Sequence, residues 1–191
     1  GTMLFSDITF TLTKGDKVAF VSKDHLTVTS FFEIMADELQ PDAGEISWGS
    51  TITKSYLPNE NARYFKAKIN LIDWLRQFSS DKDETYVRGF LGKMLFTGEE
   101  TFKMCDVLSG GEKVRCMVSK MMLTNANCLI LDEPTKGVDA GGKVEIYRII
   151  EDLAKSGVAI IVISSELPEV AAICTRIIVM NDGRITGDRK S

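Results

Sequence analysis

The apolar positions change their period along the chain, and each change predicts an element. Ile8, Phe10 and Leu12 alternate with polar residues, the chain turns at residues 14–16, and the apolar run 18–21 follows. That pattern predicts two strands joined by a turn. Val28, Phe31, Phe32, Ile34, Met35 and Leu39 then recur at helical spacing, and "PDAGEISWG" supplies a turn and another short strand. Between residues 66 and 95, "INLIDWLRQF" and "ETYVRGFLGKML" are both amphipathic helices. Val114, Met117, Val118, Met121 and Met122 mark one face of a further helix. "CLILDE" reads as a buried strand, 143–154 as a helix and "GVAIIVIS" as a second buried strand. Buried strands alternating with helices predict an α/β fold, a mostly parallel sheet covered on both sides.

Composition narrows the class. With 191 residues, 44% of them hydrophobic, the chain is long enough for one domain with a substantial core. A net charge of −4 provides no global basic field, so direct DNA binding is not expected. Cys105, Cys116, Cys128 and Cys174 lack CxxC spacing and the single histidine is His25, which argues against zinc and for reduced, buried thiols. The longest apolar runs fall well short of the roughly 20 residues that span a bilayer. A cytoplasmic location is the expectation, and Gly1 and Thr2 ahead of Met3 read as an expression leftover.

Two motifs carry chemistry. "CLILDEPT" places Asp132 and Glu133 at the carboxyl end of a buried strand, where ligands collect in open sheets. There Asp132 can hold Mg²⁺ and Glu133 can orient or activate a water for phosphoryl transfer; a solvated acidic pair is the plain alternative. Upstream, "LSGGE" opens a helix. Ser109 and Glu112 fit a capping box used for stability alone, while Ser109, Gly110 and Gly111 also present bare backbone N–H groups to an anion.

"LSGGEK" followed by "LILDEPT" resembles the signature and Walker B motifs of ATP-binding cassette (ABC) proteins. The resemblance spans nearly the whole chain and implies a P-loop NTPase-like ABC ATPase fold: a mostly parallel core sheet, an antiparallel β flank and a helical subdomain. It divides the chain into a core with flank (3–65 and 125–191) and a helical, signature-bearing part (66–124). Residues 4–135, through "YLPNEN", "LIDWLRQF" and "GFLGKMLF", resemble the second cassette of ABC-F proteins. Residues 137–187 instead resemble the second cassette of sugar-importer ATPases. The chain therefore reads as a mosaic, engineered or recombined just past "DEPT".

The resemblance also fixes what to expect at each site position. The Walker A pattern G-x-x-x-x-G-K-[ST] falls on Ser22, Thr27, Val28 and Thr29, and only Thr29 matches. Glycines permit the close phosphate approach that β-branched Thr27 and Val28 disfavour. Asp24 adds negative charge where a polyphosphate would lie, Lys23 is a poor substitute for the absent lysine, and His25 reads as a loop histidine. The N–H groups of Thr27, Val28, Thr29 and Ser30 at the helix start remain candidates for phosphate, and Thr29 for Mg²⁺. Asn59 stands at the Q-loop glutamine and Ser165 at the switch histidine. Asp139 matches the D-loop aspartate or simply caps a helix. The family's adenine-stacking aromatic would fall before the first residue.

ABC cassettes pair head to tail, each ATP lying between the Walker A of one and the signature of the other. The expected function is a degenerate cassette: ATP and Mg²⁺ held weakly or not at all in its own loop, its signature completing a partner's site. Through the parent families the partner would be another cassette, with a ribosome or a membrane transporter subunit beyond it. The alternatives are an active ATPase of an ABC transporter or ABC-F factor, and a folded mosaic without nucleotide function.

Overall fold

The computed structural model describes residues 3–190, and His25 through its backbone alone; the expectations for Gly1, Thr2 and the His25 side chain lie outside the described residues. One sheet organises them. Its strands are β1 (Lys17–Ser22), β2 (Lys54–Leu57), β3 (Cys128–Asp132), β4 (Ala159–Ile163), β5 (Arg176–Asn181) and β6 (Arg184–Lys190), in the order β2-β3-β4-β1-β5-β6. All neighbours are parallel except β5 and β6. The carboxyl ends of β1 to β4 therefore open onto one edge, where Ser22, Leu57, Asp132 and Ile163 end their strands.

Alternate residues of these strands feed two different cores, as the period of two requires. Leu129, Leu131, Ile160 and Val162 face one layer; Cys128, Ile130, Ile161 and Ile163 face the other. The second layer is covered by α1 (His25–Met35), whose Val28, Phe31, Phe32 and Met35 pack on Phe20 and Ile130. The helix ends at Ala36, and Asp37 turns the chain with φ 64°, leaving Leu39 exposed rather than on the predicted face. The first layer is covered by α4 (Gly110–Leu123) and α5 (Ala140–Lys155), together with α6 (Leu167–Ile173). Beyond α4 stand α2 (Leu71–Arg76) and α3 (Glu84–Lys93), each opened by a side-chain cap from Asn70 or Asp83. All four cysteines are buried and unbridged.

Two predicted strands did not form. Residues 4–13 and 45–49 join no ladder, and the antiparallel pairing comes instead from β5 and β6. The N-terminal alternation reflects packing: Phe5, Ile8, Phe10 and Leu12 lie on the α1 side of the sheet. Its carbonyls are used by side chains, Thr11 O accepting from Arg176 Nη1 at 2.6 Å and Leu4 O from Thr27 Oγ1 at 3.3 Å. Ser6 N–H donates to Gly183 O at 3.0 Å. Gly183 has φ 70°, and a side chain there would collide with the backbone of Leu4. The strand expected within residues 41–49 lies instead at Lys54–Leu57, because its ladder partner is the distant Cys128–Leu131.

Candidate functional site

The carboxyl edge of β1, β3 and β4 gathers the first group of expected residues. Ser22 ends β1, and Asp24 is the N-cap of α1. Asp24 Oδ1 accepts the Leu26 N–H at 3.0 Å and the Thr27 N–H at 3.5 Å, while Thr27 Oγ1 donates to Oδ2 at 2.5 Å. Ser22 Oγ in turn accepts the Asp24 N–H at 3.1 Å. A carboxylate from the chain itself thus sits where a helix N-terminus would receive an anion. Thr27, Val28 and Ser30 are buried, Val28 in the apolar core.

Thr29 points the other way. Its Oγ1 donates to Asp132 Oδ2 at 3.2 Å, and Tyr56 from β2 donates to the same oxygen at 3.3 Å. Asp132 Oδ1 is buried without a hydrogen-bond partner. Burial raises the Asp132 carboxyl above its ordinary range, against the two hydroxyl donors, and Glu133 adds to the rise. An orphaned, buried carboxylate oxygen beside a threonine hydroxyl suits a hard cation that takes oxygen ligands and keeps water on its remaining positions. Asp132 and Thr29 are the residues that would hold Mg²⁺, and no group of three or more His, Cys, Asp or Glu among the described residues offers another metal site.

Glu133 follows with φ 49°, an uncommon left-handed conformation for a residue with a side chain. Its N–H donates to Ile163 O at 3.0 Å. Ser165, just past β4, grips its carboxylate twice: the Ser165 N–H donates to Oε1 at 3.0 Å and the hydroxyl to Oε2 at 3.2 Å. The serine at the expected switch position therefore contacts Glu133 directly. Asn59 lies half-buried two residues beyond the end of β2.

A second group forms at the head of α4. Ser109 caps the helix with a complete capping box: Glu112 N–H donates to Ser109 Oγ at 3.3 Å, and Ser109 N–H donates to Glu112 Oε2 at 2.7 Å. Burial acts to raise the Glu112 carboxyl, but the donors from Lys103 and Ser109 outweigh it and hold it low. Gly110 and Gly111 lie against the segment leading into α5. A methyl on Gly111 would come within 3.2 Å of Val138 Cγ1 and 3.4 Å of Gly142 Cα, and one on Gly142 within 2.7 Å of Val138 Cγ1. These glycines let α4 and α5 cross closely. Asp139 caps α5, Oδ2 accepting the Gly142 N–H at 3.4 Å.

Sequence reasoning missed several residues that complete the edge. Tyr56 carried no signal, since only the pairing of β2 with β3 brings it to Asp132. Buried Glu169, Thr135 and Ser164 form a polar cluster with half-buried Lys143. Its one legible trace was the pair Glu166 and Glu169 in "SSELPE", the N-cap and the first turn of α6, both of which reach Lys143. A cavity of about 950 Å³, lined by Phe10, Leu12, Trp48 and Cys128 among others, lies at the opposite, amino end of β3 and away from the acidic pair.

An α/β sheet with its acidic pair at the carboxyl edge and a glycine-led helix head beside a capped α5 defines a nucleotide-binding cassette. Residues 5–136 match the family described as ABC transporter, and the chain belongs to that family as an ATP-binding domain. It is 49% identical over 141 residues to the uncharacterized ABC transporter ATP-binding protein YkpA of Bacillus subtilis, an alignment covering 73% of this chain and 26% of that protein. To the ribose import ATP-binding protein RbsA of Caldanaerobacter subterraneus it is 42% identical over 116 residues, 61% of this chain and 23% of the other. The chain thus spans about a quarter of the length of these relatives. Its fold is that of the ATP-binding cassette MJ0796 in a dimeric post-hydrolysis state bound to ADP and Pi, with a TM-score of 0.80 over 98% of this chain and 90% of the other at 14% identity. Among the described residues no helix is long and apolar enough to cross a membrane.

Proposed function

We propose that this cassette binds ATP weakly through its own phosphate loop and acts chiefly by lending its signature, Ser109, Gly110 and Gly111, to the site of a partner cassette. The observation that carries the reading is Asp24: its carboxylate takes the N–H groups of Leu26 and Thr27 at the head of α1. A phosphate arriving there would meet a fixed negative charge and donors already engaged. Val28, where the family pattern has lysine, is buried and apolar. The loop as it stands fits a phosphate poorly. The Mg²⁺ side is different, since Asp132 and Thr29 offer suitable oxygens and Glu133 is oriented by Ser165.

The head of α4 supports the lending role. Ser109 and Gly110 are exposed, and the capping box fixes them in place. Dimeric assembly of the related cassette and the import function named for RbsA favour a head-to-tail partner and a membrane transporter subunit on the cytoplasmic side. A helical subdomain at 66–124 and a mosaic seam just after residue 135 belong to this reading. The mosaic rests on the change of resemblance between residues 4–135 and 137–187.

Calorimetric titration of MgATP tests the reading, comparing wild type with Ser22→Gly/Thr27→Gly/Val28→Lys, each with and without Asp24→Asn. Affinity is expected to rise about tenfold with Asp24→Asn alone and further in the repaired loop. Tight Mg²⁺-dependent binding and multiple turnover by wild type would overturn the proposal in favour of an ordinary ATPase. That second reading has the Thr29–Asp132 contact on its side, and Glu133→Gln would then abolish phosphate release. A chain inert toward nucleotide would show no melting shift with MgATP either in wild type or after repair, whereas ligand at a hundred times its dissociation constant adds about 2.7 kcal/mol.

A further inference from the structure

Glu169 is 6% exposed, and its carboxylate joins three separate segments. Oε2 accepts the Thr135 hydroxyl, two residues after Glu133, and the Ser164 hydroxyl at 3.2 Å, one residue before Ser165. Oε1 accepts Lys143 Nζ from α5 at 2.6 Å. Lys143 also reaches both oxygens of Glu166 at 2.9 Å. Ser164 Oγ accepts the Glu166 N–H at 3.1 Å, closing the turn that contains Ser165. The two partners of the Ser165–Glu133 contact are therefore each flanked by a hydroxyl held on one and the same carboxylate oxygen.

We infer that Glu169 is a positioning residue which, through Thr135 and Ser164, sets the spacing at which Ser165 grips the Glu133 carboxylate. Ser165 is exposed, and besides its own bonds to Glu133 its turn is tied to the rest of the fold by this anchor and by the pair that Lys143 makes with exposed Glu166. Ionised carboxylates accept stronger hydrogen bonds than neutral groups, and a buried one with every donor supplied rigidifies its surroundings. Burial acts to raise the Glu169 carboxyl, but Lys143 and Thr135 outweigh it and keep it ionised. The same oxygen ties Thr135 to residues of the later segment across the proposed seam. Any consequence for hydrolysis rests on the reading of Glu133 as the carboxylate that orients water; the positioning itself does not.

Amide hydrogen exchange by NMR on the nucleotide-free protein reads this geometry whether or not ATP binds. Glu169→Gln removes the charge at nearly constant shape, and Thr135→Val removes one tie isosterically. The Ser165 N–H is expected to exchange about tenfold faster or more in Glu169→Gln and by a smaller factor in Thr135→Val, from the loss of about one charged or one neutral hydrogen bond. The Leu131 and Ile161 amides, which report global opening, should accelerate less, by the factor that the loss of overall stability sets. Unchanged Ser165 exchange overturns the inference. So does acceleration that only parallels Leu131 and Ile161, since Glu169 would then be a general stabiliser. Should Glu169→Gln fail to fold, Thr135→Val decides alone by the same criterion.

Discussion

Thr27 and Asp24 close the head of α1 on themselves, the Thr27 hydroxyl lying 2.5 Å from one Asp24 oxygen while the other takes the Leu26 N–H at 3.0 Å. The arrangement stabilises the helix and opposes an anion with the same atoms. Asparagine caps about as well as aspartate but carries no charge. Asp24→Asn should therefore leave the melting temperature nearly unchanged and raise affinity for pyrophosphate or MgATP by about tenfold, the scale of one nearby charge. Calorimetry checks this, and an unaltered affinity would remove Asp24 as the cause of weak binding.

Asp132 is buried with one oxygen lacking a partner, and its carboxyl is raised by that burial. A carboxyl raised in the folded state makes the ionised protein less stable at neutral pH than it would be once protonated. Asp132→Asn should thus raise the melting temperature of the metal-free protein, by about 2–4 °C for each kcal/mol recovered. The same variant should lose any Mg²⁺ dependence of nucleotide binding. A lower melting temperature at pH 7 would contradict the assignment.

The close crossing of α4 and α5 predicts opposite outcomes for two glycines. A methyl on Gly142 meets Val138 Cγ1 at 2.7 Å, and a β-branched side chain has little room to turn aside. Gly142→Ala should destabilise by about 1–3 kcal/mol. Gly89 is exposed inside α3 with nothing within 4 Å of an added methyl. Gly89→Ala should stabilise by about 0.5–1 kcal/mol through helix propensity alone. Denaturant unfolding of both variants gives the comparison.

Glu169 fixes part of the acid limb of stability. Its folded-state carboxyl lies below the ordinary 4.5, at about 2, despite burial acting the other way, because Lys143 and Thr135 donate to it. Its contribution is present in full above pH 4.5 and is lost as pH falls toward about 2. Glu169→Gln should be less stable than wild type at pH 7, and the difference should shrink across that window. A constant difference from pH 7 to pH 2.5 would show that another carboxyl dominates.

Much of this architecture was legible because local period and local capping decide it. Val114, Met117, Val118 and Met121 recur at helical spacing and are all buried on α4. Ser109 and Glu112 announced a capping box that formed as written, and Asp139 likewise caps α5. The apolar runs ending at Asp132 and Ile163 became β3 and β4 because residues buried on both faces need no alternation. Strand identity failed where it depended on distant partners. The alternating Ile8, Phe10 and Leu12 found side-chain packing without a ladder, while the short Lys54–Leu57 became a strand by pairing with a segment more than seventy residues away.

The sequence by itself determined the helix faces, the buried strands, the caps and the acidic pair, since each rests on neighbours within a turn or two. Tertiary structure alone decided that Tyr56 and Thr29 share one oxygen of Asp132, that Ser165 grips Glu133, and that Glu169 anchors both sides of that grip. A hydrogen bond between residues far apart in the chain leaves no periodic trace. It exists only once the sheet order has carried the ends of β1, β2, β3 and β4 to one edge.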